Sequence, residues 1–172
     1  MFTNNYYSYI NSINPLGLSN IYPLTSPQGV SRTLFVRGSA NYSKDGLNIS
    51  SLGLNSSSSI PQSGCVCFGT GTTPENVNDY TVEAMITSGI TLSTALSQEV
   101  SNNQLITRAA YTVTNTSSSD KNISEMGIFT RMYYNNGSDS AGFLIYRKVF
   151  SEPITITPGN SKVITLSFKH EV

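Results

Sequence analysis

Between Arg32 and the C-terminus, apolar residues recur at every second position in short runs, and polar turn residues separate the runs. A period of two sends successive side chains to opposite faces, so each run predicts a strand. RTLFVRG reads as a first strand, GLNISSLGL as a second, and NSSSSIPQSG as a loop. GCVCFGTG follows as a compact apolar strand whose glycines let it end abruptly. GTTPENVND is a turn-rich connection, and in YTVEAMI the residues Tyr80, Val82, Ala84 and Ile86 line one face of a further strand. ITLSTALS alternates most strictly, with Ile90, Leu92, Thr94 and Leu96 opposed to Thr91, Ser93, Ala95 and Ser97, which gives one dry face and one wet.

LITRAAYTVTN and NISEMGIFTRMYY are strands by their β-branched and aromatic content, with the polar turn TSSSDK between them. Asn135-Asn136-Gly137 signals a tight turn, opening a loop longer than a two-residue hairpin. The last strands run from Phe143 to Phe150, through Ile154 and Ile156, and then through Ile164, Leu166 and Phe168 opposed to Thr165, Ser167 and Lys169. Pro158-Gly159-Asn160 makes the bend before them. Many short strands without a convincing long helix predict an all-β chain, an antiparallel β-sandwich of jelly-roll or Ig-like type. No repeat of 20 to 50 residues argues for a solenoid or a propeller.

Residues 1–31 break this pattern. They carry no charged side chain and mix Asn and Ser with Tyr6, Tyr7, Tyr9, Tyr22, Pro15, Pro23 and Pro27. The organisation read from the sequence is an irregular N-terminal arm, residues 1–31, followed by a single domain, residues 32–172. Phe2, Tyr6, Tyr9, Ile10 and Ile13 fall at helical spacing, which allows a short amphipathic turn or two. Two readings stand side by side: a loop lying across its own domain, or a docking arm that lays Phe2, Tyr6, Tyr7, Tyr9, Ile10 and Ile13 on another subunit. Tyr suits the second, because it supplies contact area at small entropic cost.

Ten basic and ten acidic residues cancel, so neither nucleic acid nor an anionic membrane is expected as a partner. No apolar run approaches the ~20 residues that span a bilayer. The start lacks the basic and apolar regions of a secretory signal, so synthesis and folding in a cytosol are expected. In that compartment Cys65 and Cys67, two apart on one strand face, read as reduced, buried, apolar residues, because a disulfide between them would be strained and no second Cys pair or His completes a metal site. Six N-x-S/T sequons, at Asn41, Asn48, Asn55, Asn115, Asn122 and Asn136, are expected to be unmodified, since a chain so rich in Ser and Thr produces many by chance.

Candidate chemistry is sparse. A Ser-His-acid arrangement would need His170, the sole histidine, third from the end of the sequence. Asp79 and Glu83 are the tempting carboxylate pair for glycoside hydrolysis, but four steps of ~3.3 Å along one strand would set them ~13 Å apart, beyond the ~5 to 9.5 Å that either mechanism uses. Glu125, inside the apolar SEMGIF, predicts a buried structural acid that must find partners, with Arg131, Arg147 or backbone amides as the choices. The loop GTGTTPENVND lacks the Gly-Lys-Ser/Thr of a phosphate-binding loop and the spacing of a calcium loop. No catalytic group, cofactor or metal is therefore expected.

Three motifs nevertheless make a resemblance. GTGTTP precedes YTVEAMI, a Glu-x-Gly-apolar motif lies mid-chain at Glu125, Gly127 and Ile128, and the closing segment contains Arg147, Val149, Pro153, Ile154, Thr155, Ile156 and Gly159. Over residues 69–172 this is similar to a pattern in small virion proteins of tailed bacteriophages. The resemblance implies a non-enzymatic β-sandwich module of the virion, made in the host cytoplasm, as a capsid decoration or head-associated protein. Its partners would be other capsid or tail subunits and further copies of itself, with the arm as the docking element. The alternative is a tail-associated adhesin that binds a receptor or host surface glycan, for which Tyr133, Tyr134, Asn135 and Asn136 form the candidate surface-binding loop.

Overall fold

Alternation after residue 89 becomes long antiparallel strands in the structure, a computed structural model that describes residues 1–7, 23–33, 65–134 and 139–171. Within these, eight strands occur: β1 (Pro23–Thr25), β2 (Ser31–Thr33), β3 (Cys65–Gly69), β4 (Ile90–Ser101), β5 (Gln104–Asn115), β6 (Lys121–Tyr134), β7 (Asp139–Ile156) and β8 (Ser161–Glu171). Residues 4–7 are helical. The chain is all-β, as its alternation predicts, and it divides into two compact units. One contains Met1–Ile86 and Ile123–Ile154, the other Thr87–Asn122 and Thr155–Val172, a division different from the arm at 1–31 and single domain at 32–172 read from the sequence. The expected strand GLNISSLGL and most of RTLFVRG lie outside the described residues.

The first unit holds the small β1-β2 pair and a sheet of order β3-β6-β7. β3 runs antiparallel to β6, from Cys65 opposite Phe129 to Gly69 opposite Glu125. Every residue of β3 and all of residues 123–130 in β6 are buried, so this sheet is covered on both faces. That is why CVCF and GIF read as continuous apolar runs and not as alternating ones. Cys65, Cys67, Val82, Phe129 and Leu144 form one core cluster, with Met85 packed against it. Both thiols are free. Burial pushes Cys65 up to about 11 and Cys67 well above its ordinary value, so both stay neutral and unreactive near pH 7.

Two sequence expectations change here. YTVEAMI is not a strand: residues 70–89 form a loop in which Met85 makes only an isolated bridge to Gly69. The two short strands expected around Pro153 are one, since β7 continues through it. Among the described strands β7 is an edge of its sheet, where a proline without an N–H need not break a ladder.

Residues 1–7 are built into the first unit. Phe2 bridges Tyr146 of β7, Thr3 N–H donates to Ile145 O at 3.0 Å, and Thr3 Oγ1 donates to Leu144 O at 2.5 Å. Asn5 pairs twice with Thr25, donating to its carbonyl at 2.9 Å and accepting from its N–H at 2.7 Å.

The second unit contains a sheet of order β4-β5-β8. β4 and β5 form a hairpin paired continuously from Ile90↔Asn115 to Ser101↔Gln104, closed by Asn102 and Asn103 at φ 50° and 58°. Two central residues at positive φ give the turn whose twist matches the strands. β8 pairs along the other side of β5. On one face Leu92, Val113, Tyr111, Ile164, Leu96, Ala109 and Leu166 lie in register, while the opposite face carries Ser93, Thr112, Ser97, Arg108 and Ser167.

Asn115, 0 % exposed, ties the turns of this unit together. Its Nδ2 donates to Ser119 O and Ile156 O, each at 2.8 Å, and its Oδ1 accepts from the Ser117 N–H and hydroxyl. Its backbone N–H and C=O pair with Asn160 O and Gly159 N–H. Gly159, at φ 74°, makes the expected Pro-Gly-Asn bend.

Candidate functional site

The buried charges of the first unit converge on Arg147. Alternation along β7 turns this residue inward, and its side chain is 3 % exposed. A buried guanidinium must be matched by carboxylates, and two elements provide them. From β6 comes Glu125, 0 % exposed, whose Oε2 accepts from Arg147 Nε at 2.8 Å. From the 70–89 loop come Asp79, which accepts from Nη1 at 2.9 Å, and Glu83, 3.7 Å from Nη2. Nη2 makes no hydrogen bond, and its contact with Glu83 is Coulombic only.

Glu125 also closes the loop. Its Oε1 accepts from Gly71 N–H at 3.0 Å and Ala84 N–H at 3.1 Å, so one carboxylate fastens both ends of the segment. Thr70 N–H to Ala84 O and Ile86 N–H to Phe68 O complete the closure. Glycine is required at Gly71, where a Cβ would overlap Glu125 Oε1, and at Gly127, where it would stand 2.5 Å from Val82 Cγ2. Both are places of close approach with ordinary φ, so the constraint is space and not backbone strain.

A second tie lies beside the first. Glu75 accepts from Val149 N–H at 2.9 Å and pairs with Lys148 Nζ at 3.2 Å. Partial burial opposes the charged form of Glu75, yet the hydrogen bonds from Val149 and Lys148 outweigh it and hold the carboxyl at about 2. On the same strand the Arg147 backbone N–H donates to Met1 O at 3.0 Å, and Arg147 O accepts from the Met1 ammonium group.

Chemically this arrangement binds protein to itself. Asp79 and Glu83, considered above as a hydrolytic pair, are not on a strand and share one guanidinium. Hydrogen bonds from Thr73 hold Glu83 below the ordinary carboxylate range, the opposite of what a general acid needs. Among the described residues, no group of three or more His, Cys, Asp or Glu side chains is placed to hold a metal. No helix among them is long and apolar enough to cross a membrane, which leaves a membrane β-barrel untouched.

Of the other residues singled out by the sequence, Phe2 stacks on Tyr6 with ring centroids 4.1 Å apart and meets Tyr146 edge-on at 5.4 Å. Tyr7 is 50 % exposed. Tyr9, Ile10 and Ile13 lie outside the described residues. Tyr133 and Tyr134 end β6, and Asn135 and Asn136 lie outside the described residues. Sequence reasoning missed Asn115, which displays only a sequon locally while its partners, Ser119 and Ile156, carry no distinguishing side-chain signal.

No family model, curated protein or solved structure matches this chain.

Proposed function

We propose that the protein is a non-enzymatic structural component of a tailed-bacteriophage virion, a capsid decoration or head-associated protein with a β-sandwich architecture. The observation that carries this reading is the meeting of three motifs. Gly71 of GTGTTP, Glu125 of the Glu-x-Gly motif and Arg147 of the closing segment, far apart in sequence, join in one hydrogen-bonded cluster. Residues that bear the resemblance therefore act as a fastener of the fold. Such a fastener suits a protein whose work is to hold a surface in place, and it leaves these acids committed to internal partners.

Attachment to the particle would fall to the Tyr-rich stretch that begins at exposed Tyr7 and includes Tyr9, Ile10 and Ile13. Burying such side chains on a neighbour yields ~1.5 to 3 kcal/mol each before ordering costs. The test is immunogold labelling of particles purified from the source culture, with an antibody to this chain. Dense labelling over the head is expected. Labelling confined to the tail tip would establish the receptor- or glycan-binding alternative, and particles free of the chain would overturn the virion reading. A Tyr9→Ser, Ile10→Ser, Ile13→Ser variant should fold and fail to join particles.

A further inference from the structure

We infer that β4 is a self-pairing edge, through which two copies of the chain join their β4-β5-β8 sheets about a two-fold axis at Gln98. Among the described strands β4 has a neighbour on one side only. All seven residues of Ala95–Ser101 are exposed, including Leu96 at 40 % and Val100 at 70 %. Edges of this kind are normally blunted by charge, proline or a bulge. This one has no proline, is paired to β5 without interruption, and carries a single charge, Glu99, which is occupied by Arg108 Nη2 at 2.7 Å within the sheet. The opposite edge, β8, carries Lys162, Lys169, His170 and Glu171.

The turn fixes which backbone groups are available. A two-residue turn makes Ser101 and Gln104 a hydrogen-bonded pair, and alternate β4 residues back along the strand repeat that inward pairing. Leu96, Gln98 and Val100 consequently direct their N–H and C=O groups outward. A second copy fits because the exposed run is centred on Gln98. With antiparallel strands and the axis there, Leu96 faces the partner's Val100, Glu99 faces the partner's Ser97, and Ala95 faces the partner's Ser101. Apolar side chains meet on one face and no like charges are opposed. The chain's net charge of zero adds no long-range repulsion between copies. This inference rests on the edge alone and stands apart from the virion reading.

Sedimentation of the full chain over a concentration series should show a reversible dimer. Val100→Lys should sediment as a monomer with an unchanged circular dichroism spectrum, because the side chain is 70 % exposed and, although Val100 lies opposite Leu105, its N–H and C=O groups point away from β5. Gln98→Cys tests the register directly. On the axis, Cα atoms ~5.5 Å apart lie within disulfide range, so mild oxidation should yield cross-linked dimers. Ser93→Cys, ten strand positions from its own copy or ~33 Å, should not cross-link. A wild-type chain that is monomeric at every concentration would overturn the proposal, as would equal cross-linking of the two cysteine variants.

Discussion

At the scale of single residues, the fold depends on a few side chains whose hydrogen-bonding capacity is committed. Arg147 and Glu125 are the plainest case: removing one partner of a buried ion pair leaves an uncompensated charge and typically costs about 3–5 kcal/mol. Arg147→Met and Glu125→Gln should each lower the urea midpoint accordingly, and the double variant should lose well under the sum, since neither charge is then stranded. Additive losses would show that the pair is not coupled. Asn115→Asp should be destabilising by roughly 1–3 kcal/mol, because a carboxylate cannot donate to Ser119 O and Ile156 O. The sequence made Glu125 legible as a buried acid, since a carboxylate within SEMGIF has few alternatives. It left three choices of partner and concealed Asn115 altogether. Partner choice depends on which strands become neighbours, and local pattern does not carry that.

At the scale of elements, alternation was a reliable guide where a strand has one covered face. β4, β5 and β8 follow it, and their register places Leu92, Val113 and Tyr111 on one side as the sequence implies. The same signal failed at YTVEAMI. Val82 is spaced like a strand residue but enters the core beside Gly127, while Ala84 gives its N–H to Glu125, so the segment is held by side-chain ties and one isolated bridge flanked by two backbone hydrogen bonds, not by a continuous ladder. The Asn102–Asn103 turn was also passed over, though two consecutive asparagines are among the few pairs that accept positive φ without glycine. Asn103→Gly should stabilise the hairpin by a few tenths of a kcal/mol, and Asn102→Val should destabilise it by about 1–2 kcal/mol, the usual penalty for a side-chain-bearing residue in the left-handed region. Thermal unfolding of both variants gives the comparison, and a destabilising glycine substitution would contradict the turn geometry.

At the scale of the whole molecule, a neutral chain with few charges places them at ties, and this sets its response to acid. Glu75 is held at about 2 in the folded protein against 4.5 for an unperturbed carboxyl, and Glu83 and Glu99 are also lowered, by Thr73 and Arg108 respectively. A depressed folded-state value means that the native protein binds fewer protons than the unfolded chain, so these groups stabilise the fold fully above 4.5. Their contribution fades as the pH falls from 4.5 towards 2. Glu75 contributes most, because it is the one of the three with a backbone donor on a neighbouring strand, Val149, in addition to a cation. Glu75→Gln should accordingly lower stability at pH 7 by about 1 kcal/mol once solvent screening is allowed for, and the difference from wild type should shrink towards pH 2. Urea titrations at pH 7, 4 and 2 measure this directly. A difference that stayed constant with pH would mean that Glu75 acts through packing alone, and that the acid sensitivity of the fold must be sought elsewhere.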